Sequence, residues 1–256
     1  MSPFFFGQSS RRLFGLYTPA RAVGGKQRGI VLCHPWGQEY LRAHRSMCRL
    51  GNMLADAGHH VLRFDYFGTG DSAGDMTEAS LAGWQSDVQT AIDELKDMAG
   101  LNRVSLLGLR LGATLAAQAA AQRRKDVDAV VLWDPVVSGR DYLAELCETD
   151  EQVLPRAAQA GGGLELLGFP MVDTLSRQVA ALDLASQVAG LPARSVVVVS
   201  APLPSHTGLR TALQQVGGGQ VSFEGVAGLP AWLEDRDSGA GAVPVKVLLR
   251  IVEWLG

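Results

Sequence analysis

Two rhythms of apolar residues alternate along the chain. Short apolar-rich runs with the length of buried strands occupy residues 29–33, 60–64, 103–107, 128–133 and 195–200, and a shorter one occupies 220–223. Between them the spacing lengthens to three and four. Met47, Leu50, Leu54 and Ala57 share one helical face, with Gly58 placed as a C-cap, and Leu81, Trp84, Val88, Ile92 and Leu95 share another. A closing helix gathers Val245, Leu248, Leu249, Val252 and Leu255 behind Pro244, which suits a first turn. Ahead of all this, apolar runs at residues 4–6 and 13–17 flank Gly7-Gln8-Ser9-Ser10, the pattern of an antiparallel hairpin, and Gly24-Gly25 marks a turn.

Strands alternating with helices predict an α/β fold: a mostly parallel central sheet with helices on both faces and ligands beyond the strands' carboxyl ends. One stretch breaks the beat. Residues 138–190 hold helical segments around Gly161-Gly162-Gly163, too long for a plain connection, and are expected to form a small inserted helical cap within a single domain spanning 1–256.

Composition removes several function classes. The 256 residues are 47% hydrophobic and 19% charged, with a formal net charge of -3, so no basic stripe is available to hold a nucleic-acid backbone. No apolar run approaches the roughly 20 residues that span a bilayer. The opening residues 1–15 place aromatics before arginines, the reverse of a secretory signal, and cytoplasmic residence is the expectation. Cys33, Cys48 and Cys147 lack paired spacing, so reduced thiols are expected, with no metal site and no cofactor. A small molecule or an acyl-carrier-bound intermediate is the expected partner, and a homodimer is compatible with the sequence.

The run at 103–107 leads straight into Gly108-Leu109-Arg110-Leu111-Gly112 and an alanine-rich helix, the strand, turn and helix of a nucleophile elbow. With CHPWGQEYLRAHR, VLRFDYFGTGDSAGD and WDPVVSG, this GLRLGATLA segment resembles α/β-hydrolases of the serine-aminopeptidase-like type, especially hydrolase-like proteins of bacterial biosynthetic clusters, exosortase-associated ones among them. The resemblance covers most of residues 4–140. It implies an α/β-hydrolase fold with the order nucleophile, acid, histidine.

The position that is serine in that family is Arg110, and a guanidinium has no lone pair with which to attack. After the last predicted strand, Trp232-Leu233-Glu234-Asp235-Arg236-Asp237 contains no histidine. Asp134, which ends the 128–133 run, is the candidate acid, and His206, the one histidine beyond Arg110, is a candidate base. The resemblance also places His34 at the start of the loop that lends an N–H to the oxyanion hole.

A cation at a helix N-terminus opposes the dipole, so Arg110 requires a carboxylate, from Glu39, Asp134 or a ligand. Trp36, Gly37, Glu39, Tyr40 and Leu111 are the candidate substrate contacts. These residues predict a degenerate hydrolase that acts non-covalently on a carboxylate- or carbonyl-bearing metabolite, with His34, His206 or a carboxylate moving the proton. Two alternatives stand beside it. One is a catalytically silent scaffold, and the other a hydrolase with Cys33 as nucleophile, whose thiol pKa Arg110 would lower. Asp65 and Asp71 are expected to brace turns.

Overall fold

The computed structural model describes residues 1–22, 27–153, 164–192, 194–215, 221–234 and 241–256. The predicted turns at Gly24-Gly25 and Gly161-Gly162-Gly163, the first residue of the predicted 220–223 strand and the Asp235-Arg236-Asp237 segment lie outside those residues.

The hairpin forms as expected: β1 (Ser2–Gln8) pairs antiparallel with β2 (Arg11–Thr18), Phe5 opposite Phe14. The continuous apolar runs become β3 (Gly29–Cys33), β4 (His60–Phe64), β5 (Val104–Leu109), β6 (Val127–Trp133), β9 (Arg194–Val199) and the edge strand β10 (Val221–Gly225). Together they form one eight-stranded sheet in the order β1-β2-β4-β3-β5-β6-β9-β10, parallel from β4 onward. Strand order reverses between β3 and β5. A crevice at that point, above the carboxyl ends, is where an α/β sheet offers room for a ligand.

Helices cover both faces. On one, α1 (Gly37–Asp56) and α7 (Val245–Leu255) bury Met47, Leu50, Leu248 and Ile251 against Ile30, Leu32 and Trp133. On the other, α2 (Leu81–Ala99) and α3 (Leu111–Gln122) bury Trp84, Val88, Leu115 and Ala116 against Val31, Leu106 and Val130. α6 (Pro204–Gln215) sits between β9 and β10 in the chain. Ser80 caps α2 by accepting the Gly83 N–H at 3.1 Å, and Gly100 ends it at φ 63°. Among the described residues no helix is long and apolar enough to cross a membrane.

The segment after β6 carries α4 (Gly139–Val153), a hairpin of β7 (Leu164–Leu166) and β8 (Phe169–Met171), and α5 (Asp173–Ala180), followed by a 3-10 turn at Ala185–Gly190. The described part of residues 138–190 therefore holds a two-stranded hairpin beside its helices. Strands this short leave no alternation to detect, and Gly168, at φ 84°, supplies the tight turn.

Candidate functional site

The carboxyl ends of β3, β5 and β6 deliver His34, Arg110 and Asp134 to neighbouring loops. Arg110 is the elbow residue, at φ 54° and ψ -121°, a backbone region that costs a side-chain-bearing residue about 1–3 kcal/mol. The flanking glycines permit it. A Cβ on Gly108 would strike the Gly112 carbonyl, and one on Gly112 would strike the carbonyls of Cys33 and His34. The Arg110 carbonyl accepts from the N–H groups of Ala113, at 3.0 Å, and Val136, at 3.3 Å, which pins the turn. The elbow's backbone is intact.

Its side chain runs into the protein. Arg110 is only 1% exposed, and its Nε donates to Glu39 Oε1 at 2.8 Å while Nη2 donates to Glu145 Oε2 at 2.7 Å. Tyr142 donates its hydroxyl to Glu39 Oε2 at 2.9 Å. The guanidinium lies 4.6 Å from the Trp232 ring and 5.3 Å from the Tyr142 ring. Burial works against the guanidinium's charge, but Glu39 and Glu145 outweigh it and hold Arg110 above its ordinary pKa. Burial raises the Glu39 carboxyl, against the opposing pull of Arg110 and Tyr142. Because α4 supplies Tyr142 and Glu145, this cluster ties the insertion to the core.

Asp134 does not reach Arg110. It stands at φ 42° and accepts the Ser200 and Ala201 N–H groups at 2.8 and 3.1 Å, together with the Ser200 hydroxyl, so its oxygens organise the turn after β9. Burial raises its pKa, with the Ser200 hydrogen bond opposing. His206 is equally engaged: Nδ1 accepts from the Leu203 N–H at 3.1 Å and Nε2 faces the Pro135 carbonyl at 3.2 Å, which fixes Nε2 as the protonated nitrogen.

On the opposite side of the elbow lies a cavity of about 310 Å³. Its walls include His34, Trp36, Gly37, Tyr40, Leu111 and Phe169. Trp36 meets Phe169 of β8 edge to face, ring centroids 6.0 Å apart, and Phe169 lines the space with it. Tyr40 donates to Asp65 Oδ1 at 2.8 Å, while Asp65 Oδ2 accepts the Asp71 backbone N–H at 3.0 Å, so the Asp65 carboxyl braces this turn. His34 is buried edge-on to Tyr40. Burial, then Arg63 and His44, push its pKa down to about 3, so at neutral pH it is an uncharged and weakly basic imidazole. Among the described residues, no partner is found for its buried Nδ1 or for the buried indole N–H of Trp36.

Cys33 is fully buried beneath this loop. Burial pushes its thiol up to about 12, the reverse of the lowering that a nucleophilic role requires. Among the described residues no group of three or more His, Cys, Asp or Glu side chains could hold a metal ion.

The nine residues singled out from sequence thus fall into three places. His34, Trp36, Gly37, Tyr40 and Leu111 share the cavity; Arg110 and Glu39 share the ionic cluster; Asp134 and His206 serve the β6 and β9 turns. Sequence reasoning missed Tyr142, Glu145 and Trp232. Tyr142 and Glu145 stand three apart on α4, on one helix face, and a buried arginine that needs carboxylates was a signal to search there. Trp232 carried no comparable signal.

The family described as serine aminopeptidase, S33, matches residues 25–183. Human mitochondrial palmitoyl-protein thioesterase ABHD10 is 33% identical over 111 residues, which are 43% of this chain and 34% of that protein. Human protein ABHD12B is 37% identical over 109 residues, 41% of this chain and 29% of that protein. The chain therefore spans about a third of the length of these curated relatives. Among solved structures, Est1E from Butyrivibrio proteoclasticus with bound ferulic acid superposes with a TM-score of 0.69 at 14% identity, over 98% of this chain and 95% of that one. The thioesterase domain from the curacin biosynthetic pathway gives a TM-score of 0.65 at 15% identity, over 100% and 99%.

Proposed function

Because the chain belongs to the serine aminopeptidase S33 family of the α/β-hydrolase superfamily, we propose that it keeps the hydrolase shell as a ligand-binding protein that forms no acyl-enzyme. One observation carries this reading. The elbow side chain is a guanidinium bonded to Glu39 at 2.8 Å and Glu145 at 2.7 Å, where covalent catalysis needs a hydroxyl beside a base. Residues 226–244, which follow the last strand, contain no histidine, and Trp232 from that stretch lies against Arg110 instead.

The chemistry of the remaining candidates supports binding over non-covalent catalysis. A histidine titrating near 3 is a poor proton acceptor at neutral pH, and efficient general bases titrate near the working pH. Both His206 nitrogens already have backbone partners. Arg110 is committed to the protein's own carboxylates, so the ligand is assigned to the cavity on the Leu111 side. Service in a bacterial biosynthetic pathway, to which the sequence resemblance points, is compatible with such a role and identifies no ligand by itself.

The test is reaction with a fluorophosphonate probe followed by intact mass, together with hydrolysis of p-nitrophenyl butyrate. The folded protein is expected to gain no probe mass, and Arg110→Ser to turn over no faster than buffer. Arg110→Ser leaves Glu39 without its cation, so Arg110→Ser/Glu39→Gln is assayed beside it. Stoichiometric labelling of the wild type, or fast turnover by either variant, contradicts the proposal.

A further inference from the structure

We infer that Arg63 is the centre of a second ligand site, apart from the cavity, which takes a compact oxyanion, a carboxylate or a phosphate, in the place that the Met1 thioether now fills. Among the described residues two arginines are buried, Arg110 at 1% exposure and Arg63 at 5%, and their surroundings differ. Arg110 has the carboxylates of Glu39 and Glu145. Arg63 has no carboxylate within ion-pair distance among the described residues, and its hydrogen bond there runs from Nη2 to Met1 Sδ at 3.5 Å. A thioether is a weak acceptor, so a guanidinium with five N–H donors is left almost unanswered. Buried charges are ordinarily paired, because their lost hydration is otherwise uncompensated.

The neighbouring groups do not supply the missing charge. Side chains two apart on a strand share a face, which makes Asp65 the natural partner for Arg63. Its oxygens instead take the Tyr40 hydroxyl, at 2.8 Å, and the Asp71 N–H, at 3.0 Å. Residues 40–55 of α1, the helix packed on β4, include Arg42, His44, Arg45 and Arg49 and no acid. After burial, it is Arg63 and His44 that lower the pKa of His34, so the positive field of this corner is not cancelled locally.

The guanidinium is aimed and reachable. Gly51 of α1 lets the Arg63 stem lie along the helix: a Cβ there would stand 3.4 Å from Arg63 Cδ and 3.7 Å from Nε. Beyond the stem, Nη2 meets Met1, whose side chain is unbranched and whose residue is 62% exposed, so the sulfur can swing out and leave its place to an oxygen. A forked, planar guanidinium matches two oxygens of one carboxylate or phosphate. Arg63 is not among the walls of the cavity beside Leu111, which keeps the two sites distinct.

Thermal unfolding of the full chain at neutral pH, with sodium phosphate or sodium acetate replacing sodium chloride at constant ionic strength, tests this. One anion or both, in the millimolar range, is expected to raise the wild-type midpoint by about 3 °C or more, and the larger shift names the preferred group. Arg63→Met is expected to lose the shift, and in chloride to unfold no earlier than the wild type, since it removes a charge that has no partner. Stabilisation by exclusion of the salt from the surface would act on both proteins alike. Arg63→Lys, which keeps a cation without the fork, is expected to retain less than half of the shift, and Leu115→Phe, which fills the cavity, to retain all of it. Absence of a shift with either anion, an equal shift in Arg63→Met, or its loss in Leu115→Phe overturns the inference. A chloride midpoint for Arg63→Met well below that of the wild type also overturns it, because the guanidinium would then be satisfied by the protein alone.

Discussion

Glu39 and Tyr40 are neighbours on α1, yet they serve opposite halves of the elbow. On the Glu39 side, a guanidinium, two carboxylates and two aromatic rings close on one another across the join between core and insertion. On the Tyr40 side, beginning with the next residue, the same helix walls an aromatic cavity of about 310 Å³ that no arginine or lysine lines among the described residues. Consecutive helical side chains diverge by about 100°, so a single turn can serve both surfaces. The contrast teaches how one tight turn with an arginine at its apex can separate two environments. The charged half becomes a joint between two parts of the chain, and the apolar half remains hollow.

The charged half gives the largest effect. Glu39→Leu strands a buried guanidinium with one carboxylate, and urea denaturation is expected to show a loss of about 3 kcal/mol, the low end for breaking a buried pair because Glu145 remains. Glu39→Leu/Arg110→Met should recover much of that loss, since well-packed apolar replacements of a buried pair are often neutral. A cost below about 1 kcal/mol for Glu39→Leu would show that the joint does not depend on its charges.

The hollow half answers to pH through His34. Its folded pKa lies at about 3, below the ordinary histidine value, so between those values the unfolded chain binds more protons than the folded one. Stability from this group is therefore complete above about 6.5 and is lost as pH falls toward 3, by at most about 1.4 kcal/mol per pH unit. The raised carboxyls of Glu39, Asp65 and Asp134 act in the opposite sense, because as pH falls each takes up its proton earlier in the folded chain than in the unfolded one. Comparison with His34→Asn isolates the histidine: its urea midpoint should fall less steeply than that of the wild type between pH 6 and 4, and parallel curves would place the acid sensitivity elsewhere.

Leu115→Phe sharpens the contrast from the other direction, with ligand binding lost and stability changed by less than about 1.5 kcal/mol, because the new ring enters existing space. A larger loss would mean that the wall cannot accept it. The smallest effect belongs to the solvated rim. Asp56, the last residue of the same helix, pairs with the exposed Arg21 at 2.7 Å, and Asp56→Ala should change stability by no more than about 0.5 kcal/mol.

The sequence is most legible where burial is uniform. The strands at Gly29–Cys33 and His60–Phe64 match the expected bounds because nearly every residue in them is inside, and apolar runs record that directly. α1 is different. Its periodicity becomes apolar only at Leu41, yet the helix starts at Gly37, because its first turn buries Glu39 for Arg110 and polar letters there look like a loop. The elbow was readable down to its backbone, since the two glycines around Arg110 are a steric requirement. The choice of partner was not. Asp134, next along the sheet, was as reasonable a carboxylate as Glu39, and only its commitment to the Ser200 and Ala201 N–H groups, with Glu145 arriving from the insertion, decides between them. Local pattern cannot register such competition, because it is settled by tertiary placement.

The most direct test of the divided elbow is a proton–nitrogen correlation spectrum recorded during titration with methyl cinnamate, a neutral ester matched to the aromatic walls of the cavity. Arg110→Lys and Trp36→Phe assign the Arg110 Nε–H and the Trp36 indole N–H. The expected result is a saturable shift of the Trp36 indole resonance with the Arg110 Nε resonance unmoved. A shift of the Arg110 resonance with the Trp36 resonance fixed would place the ligand on the guanidinium and contradict the account.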